Sequence, residues 1–135
     1  MPYPIDVVLD TNILVSAIMS DNGVPATIYR MVHKGELMPY FCDAIMDEYL
    51  DVLFRPELKL NLLKVNTMLQ IFAKQGKQVA PSKSDIFLQD EDDRVFYDVA
   101  NDFNAILVTG NTKHFPNEPF IMTPRAFYDT YVVSI

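Results

Sequence analysis

Asp10-Thr11-Asn12 places an ionisable carboxyl at the end of a dense apolar run, Ile5-Asp6-Val7-Val8-Leu9, and a second run, Ile13-Leu14-Val15, follows it. Closely set β-branched and aliphatic residues predict a strand buried on both faces that turns at once into a helix. A carboxylate at the tip of such a strand is costly to hold unless something pairs with it. In open α/β sheets the carboxyl ends of strands are where ligands bind. Two further acids stand at comparable places: Glu48 inside a helical pattern, and Asp93 closing the run Asp90-Glu91-Asp92-Asp93. Like charges brought together raise one another's pKa and repel, so such a cluster is normally tolerated because cations occupy it. Oxygen-only ligands suit Mg²⁺ or Mn²⁺ rather than zinc. Two such ions about 3.5–4 Å apart can activate a water and stabilise the leaving oxygen of a phosphodiester.

The elements that must position these acids alternate between strand and helix. Ser20-Asp21-Asn22-Gly23 carries turn chemistry. Pro25 opens a helix through Ile28, Met31 and Val32 that ends near Gly35, with His33 at its end. Leu37 to Phe41 reads as a second strand, made less regular by Pro39. Asp43 is expected to cap the next helix, whose apolar face is Ile45, Tyr49, Val52 and Leu53 and which Arg55-Pro56 stops. Leu60 to Ala73 predicts another helix with Gly76 as terminator, and Gln78 to Ala80 a short third strand. The acidic run opens a helix that turns Val95, Phe96, Val99 and Ala100 inward; Ala105 to Val108 and Phe120 to Met122 are the last strands, and Pro124 starts a terminal helix. This alternation implies a mainly parallel sheet covered on both faces, with Asp10 and Asp93 at its carboxyl edge. Glu48 reaches that edge if its helix packs beside the first strand.

The chain has 135 residues, enough for one domain with a substantial core, and is expected to be a single domain over residues 1–135. One cysteine, Cys42, excludes an internal disulfide framework and suits a reducing, cytoplasmic compartment. No secretory pattern opens the chain, and no run approaches the roughly 20 apolar residues that span a bilayer, so no membrane role is expected. The net charge is −7 and the pI about 4.6, which argues against a surface coated with Lys and Arg for broad nucleic-acid binding. It leaves room for an acidic pocket whose cations attract phosphate.

Each of these residues also has a plainer role. Asp10 suits a helix N-cap, Glu48 a solvated helix face, and most of the Asp90–Asp93 run a helix N-terminus that favours acids. Asp93 is preferred as the inward member because it precedes Phe96 by about one helical turn, and Asp90 and Asp92 compete with it. Asp98 is expected to face solvent or Arg94, Lys113 and His114 to serve as capping or surface residues, with contact to RNA phosphate as the alternative, and Cys42 to act as a small buried hydrophobe. Arg55 is placed near a pocket carboxylate only as a weaker alternative.

Four pieces in order, Val-Val-Leu-Asp10-Thr11-Asn12-Ile-Leu-Val, Asp47-Glu48-Tyr49-Leu50, Asp90-Glu91-Asp92-Asp93-Arg-Val-Phe and Leu-Val-Thr109-Gly110-Asn111-Thr-Lys-His-Phe, resemble a PIN-domain nuclease of the VapC-like toxin type. The resemblance implies an α/β fold: a three-layer α/β/α sandwich with a central, mainly parallel, five-stranded sheet. It also implies a Mg²⁺- or Mn²⁺-dependent endoribonuclease acting on RNA, with a small antitoxin protein as partner and a homodimer as the assembly. On that pattern Asp10, Glu48 and Asp93 are the acidic metal ligands. Asn12 holds Asp10 in position, and the Thr109 hydroxyl binds a ligand water. The family often has a fourth acid where this chain has Asn111; a neutral amide there implies weaker binding of a second metal. Among other acid-pocket enzymes, an aspartyl phosphatase needs a second Asp two positions on for proton transfer, and Asn12 cannot do this. A phosphate-receiver domain is disfavoured too, because no paired acids end the first strand of this chain. A degenerate domain that binds RNA or protein without cleavage, and an enzyme acting on DNA or structured RNA, stay open.

Overall fold

The computed structural model describes residues 4–132. The first strand, β1 (Ile5–Leu9), leads into α1 (Thr11–Met19) and α2 (Val24–His33), and β2 (Leu37–Phe41) into α3 (Asp43–Leu53) and α4 (Leu62–Gln75). Then come β3 (Lys77–Gln78), α5 (Arg94–Phe103), β4 (Ile106–Val108), β5 (Ile121–Met122) and α6 (Pro124–Phe127). The strands form one five-stranded sheet in the order β3-β2-β1-β4-β5. Every neighbouring pair is parallel. The connections from β1 run outward to β2 and β3, whereas the chain returns across β1 to reach β4. Right-handed crossovers in opposite directions put helices on opposite faces. In keeping with that, α2 and α4 pack on β2, and α5 packs on β1, β2 and β4. The result is the three-layer α/β/α sandwich.

The central strand is the most deeply buried. Val7, Val8 and Leu9 are at most 1% exposed, which requires apolar side chains on both faces, and Leu107 and Val108 of β4 beside them are equally enclosed. The crevice where the connections part, at the carboxyl ends of β1 and β4, is the topological switch point at which open α/β sheets bind ligands. Register aligns the two ends, with Leu9 opposite Val108. The Asp10 amide continues the ladder to the Val108 carbonyl at 3.0 Å.

Helix α3 is drawn to the same edge. The Tyr49 hydroxyl donates to the Leu9 carbonyl at 2.5 Å, and its ring packs edge-on against Phe72 and tilted against Phe96. This contact brings Glu48, the preceding residue, to the end of β1. At the outer edge, Gly76 between α4 and β3 must be glycine: a Cβ there would lie 2.5 Å from the Phe72 carbonyl oxygen and 2.7 Å from that of Pro39. The same geometry shows why Pro39 is tolerated in β2. Its carbonyl faces Gly76, and pairing with β3 begins only at Tyr40.

Three expectations are corrected. Asp43 does not cap α3; Cys42 occupies the cap position without a side-chain bond, and Asp43 instead accepts from the Gln78 amide, tying the start of α3 to β3. The third strand is Lys77–Gln78 rather than 78–80, although the Val79 amide still reaches the Phe41 carbonyl. Asp98 does not face solvent: it is buried and accepts from the Ser84 amide through both oxygens. Beside it Arg94 donates to the carbonyls of Ser84 and Ile86 and to Glu91, and Asp102 accepts from the Ser82 amide. These helix side chains hold the irregular stretch that leads from β3 to the acidic run. Val95 is half-buried and packs against the core, as expected of an inward residue, and Val52 is half-buried and lines the cleft described below.

Tyr49→Phe removes the hydroxyl that ties α3 to β1 while keeping the ring contacts. We expect a loss of about 1–2 kcal/mol, the cost of one buried hydrogen bond, read as a lower urea midpoint with an unchanged slope. An unchanged midpoint would contradict the role given to this contact.

Candidate active site

Asp10 sits at the switch point with extended backbone, only 8% exposed. Its two oxygens do different things. Oδ1 accepts from the Thr11 amide at 2.8 Å, so the helix-cap reading is borne out for that oxygen. Oδ2 accepts from the Thr109 hydroxyl at 2.7 Å, and the Asn12 amide nitrogen approaches it at 3.5 Å. Burial pushes the Asp10 carboxyl above its ordinary pKa, against the pull of the Thr109 and Thr11 bonds and the charge of His114.

Thr109, which ends β4, is fully buried. Its hydroxyl proton is committed to Asp10, and its oxygen accepts from the Asn111 amide at 3.0 Å. The side chain expected to hold a ligand water thus serves first to hold Asp10. Asn12 joins the same two strand ends from the other side: its carbonyl oxygen accepts from the Gly110 amide at 3.3 Å while its nitrogen faces Asp10. Only an amide offers both an acceptor and a donor here, so Asn rather than Asp suits the position.

Asp10 and Asn12 line one open cleft of about 380 Å³ with Glu48, Asp93, Asn111, Ser16, Arg55 and others. The structure therefore brings together all six residues singled out from the sequence. Thr109 stands behind the wall formed by the rest. Within the acidic run the competition resolves geometrically. Asp90 and Asp92 are exposed, and Asp90 turns back to accept the Asp92 amide at 3.0 Å. Asp93, half-buried at the N-terminus of α5, is the member that lines the cleft. Desolvation first, then the charges of Asp10 and Asp90, push its carboxyl up to about 6. Glu48 is raised too, by desolvation and then by Asp51, against the pull of Arg55 and with smaller contributions from Asp92 and then Asp10.

The Oδ2 atom of Asp93 is enclosed by protein and has no hydrogen-bond donor. His114 approaches it, Nδ1 at 3.7 Å, too far for a hydrogen bond. His114 is exposed, as expected of a surface residue, and its Nδ1 also faces the acids. The signal for it was the spacing: a 3₁₀ turn over Thr112–His114 folds the third residue after Asn111 back toward the strand end. Arg55 lines the cleft but binds Asp51 at 2.7 Å, an exposed partner outside it.

Among the described residues, no three His, Cys, Asp or Glu side chains converge closely enough to chelate a metal ready-made. The donor set nonetheless fits a hard divalent cation. It consists of carboxylates whose pKa values are raised first by burial and, for Asp93 and Glu48, also by neighbouring acids, one of them with a buried oxygen that lacks any donor.

The sequence matches the family model described as "PIN domain" over residues 6–113, a span that contains every acid of the cleft and stops just short of His114. The chain belongs to the PIN-domain family, whose nucleases are hydrolases acting on nucleic acids. It is 31% identical over 110 residues to the uncharacterized protein MJ1680 of Methanocaldococcus jannaschii, covering 79% of this chain and 71% of that one. Its fold is similar to a chain in the crystal structure of VapBC2 from Rickettsia felis bound to a DNA fragment from their promoter. The TM-score is 0.56 at 18% identity, over 88% of this chain and 97% of that one.

The raised carboxyls set the pH dependence of the metal-free fold. Asp93 ionises near 4 when unfolded and at about 6 when folded, so the folded state holds the extra proton between those values. Its contribution to stability is complete below about pH 4 and is lost as the pH rises through about 6. Asp10 and Glu48 act in the same direction. In EDTA, Asp93→Asn should therefore be more stable than the parent at about pH 8, with a shallower decline from about pH 4, as read by urea denaturation. A variant less stable than the parent at about pH 8 would contradict this electrostatic account.

Proposed function

We propose that the chain is a metal-dependent endoribonuclease that hydrolyses RNA phosphodiesters, and that it is the toxin of a toxin–antitoxin pair. The observation that supports this most is the donorless, buried Oδ2 of Asp93, in a cleft it shares with a desolvated Asp10. Asp10, Glu48 and Asp93 would hold Mg²⁺ or Mn²⁺. When bound, these ions make a water nucleophilic at neutral pH and neutralise charge on a phosphoryl oxygen. The protein's own part is positioning. The Thr109 hydroxyl and the Asn12 amide keep the Asp10 Oδ2 turned toward the cleft, Tyr49 holds the helix that carries Glu48, and Asp93 stands at the head of α5. The cleft is open, which suits an extended single strand, and no side chain in it is placed as a covalent nucleophile with an adjacent base.

The antitoxin partner is proposed by analogy with VapBC2, whose structure gives the similar fold. A homodimer is consistent with the exposed apolar side chains Leu50, Phe54, Leu62 and Leu63 at the junction of α3 and α4. Cytoplasmic residence suits the free, buried Cys42. Among the described residues no helix is long and apolar enough to cross a membrane. Asn111, in the place of an acid, favours a second reading in which the domain binds RNA or a protein without cutting.

Cleavage of a mixed-sequence single-stranded RNA by the pure protein separates these readings. Cutting in Mn²⁺ should vanish in EDTA and fall on the order of 10²–10³-fold or more in Asp10→Asn and Asp10→Ala, as when a group acting directly on the reaction is lost. Cutting that survives EDTA or either variant would contradict the proposal. RNA binding without cutting in excess Mn²⁺ would favour the second reading.

A further inference from the structure

We propose that His114 supplies an imidazole nitrogen to the cation held at Asp93, so that the site is a mixed oxygen–nitrogen one favouring Mn²⁺ over Mg²⁺. This rests on the metal-dependent reading above. The observations are geometric. Nδ1 of His114 stands 3.7 Å from Asp93 Oδ2, a buried oxygen without a donor; among the described residues Thr11 Oγ1, also on the cleft, is the other buried side-chain oxygen without a partner. Two ligands on one cation, each about 2.1 Å from it, are separated by about 3.0–3.4 Å for ligand angles between octahedral and tetrahedral. The gap is a few tenths of an ångström wider than that and too wide for a direct hydrogen bond.

The position of His114 is also built rather than incidental. Its amide donates to the Asn111 carbonyl at 2.9 Å, and the Asn111 amide donates to Thr109 Oγ1, which in turn binds Asp10. Phe115 is buried immediately behind it. The turn that carries the imidazole is therefore anchored to the same hydroxyl that orients Asp10, and one hydrogen-bonded unit holds both. A nitrogen donor offsets the neutral Asn111. It adds a ligand without adding a negative charge to carboxylates that already repel one another. Imidazole suits transition-metal ions, whereas Mg²⁺ prefers oxygen and water.

The test is Mn²⁺ alone added to the full chain, read by the electron spin-echo of the bound ion and by the affinity. Nitrogen modulation is expected in the parent. It should be absent in His114→Ala and retained in His33→Gln, which alters the other of the two histidines. His114→Ala should weaken Mn²⁺ by at least the roughly tenfold that follows loss of a group merely supporting a ligand, and Mg²⁺ by much less. The His114 side chain is half-exposed, so its removal should leave the circular dichroism spectrum unchanged. Bound Mn²⁺ without nitrogen modulation, or modulation that persists in His114→Ala, would overturn the role of His114 and leave the acidic metal site standing. No Mn²⁺ binding at all would overturn both.

Discussion

The hydrogen bond from Thr109 to Asp10 is the contact on which the rest of the site depends. It joins the ends of two adjacent parallel strands at the point where the sheet changes direction, between residues 99 positions apart in the chain. Its donor is fully buried and its acceptor nearly so. In such surroundings a hydrogen bond is stronger than in water, and an unpaired carboxylate is far more costly. The contact therefore does two things. It makes a charge tolerable at the end of a core strand, and it fixes which way that charge faces.

The fold follows from the burial that this arrangement demands. A central strand with apolar side chains on both faces needs helices above and below it, and the crossovers that supply them part at its carboxyl end. The crevice so formed carries the acids from three different elements: the end of β1, the middle of α3 and the start of α5. No Arg bonds them in the cleft, for Arg55 is held by Asp51 and Arg94 is engaged with Glu91 and the 84–86 backbone, and His114 stands 3.7 Å from Asp93. The acids are left facing one another.

Most of this was legible in the sequence where one local signal sufficed. Four of the strands and the helices between them follow from runs of apolar residues at strand or helix spacing, while the polar third strand, Lys77–Gln78, does not; Asp10, Glu48 and Asp93 were found because acids beside such runs need an explanation. What escaped was long-range. The cap at Asp43 was misread because its local chemistry is correct, yet the Gln78 amide from the next strand competes for the side chain. Asp98 carries a charge on a helix face that ordinarily meets solvent; only the path of the 81–90 stretch, which covers that face, buries it. His114 was hidden for the same reason: its neighbours in sequence are polar, and its partner Asp93 is on another element.

The central claim is that the burial of these acids, added to their repulsion, makes the cleft a receptor for divalent cations. Isothermal titration of Mn²⁺ into the metal-free protein at about pH 8, beside Asp10→Asn, tests it most directly. Saturable binding in the parent that is lost or much weakened in Asp10→Asn is the predicted result. Equal binding by the two proteins, or none by the parent, would contradict it.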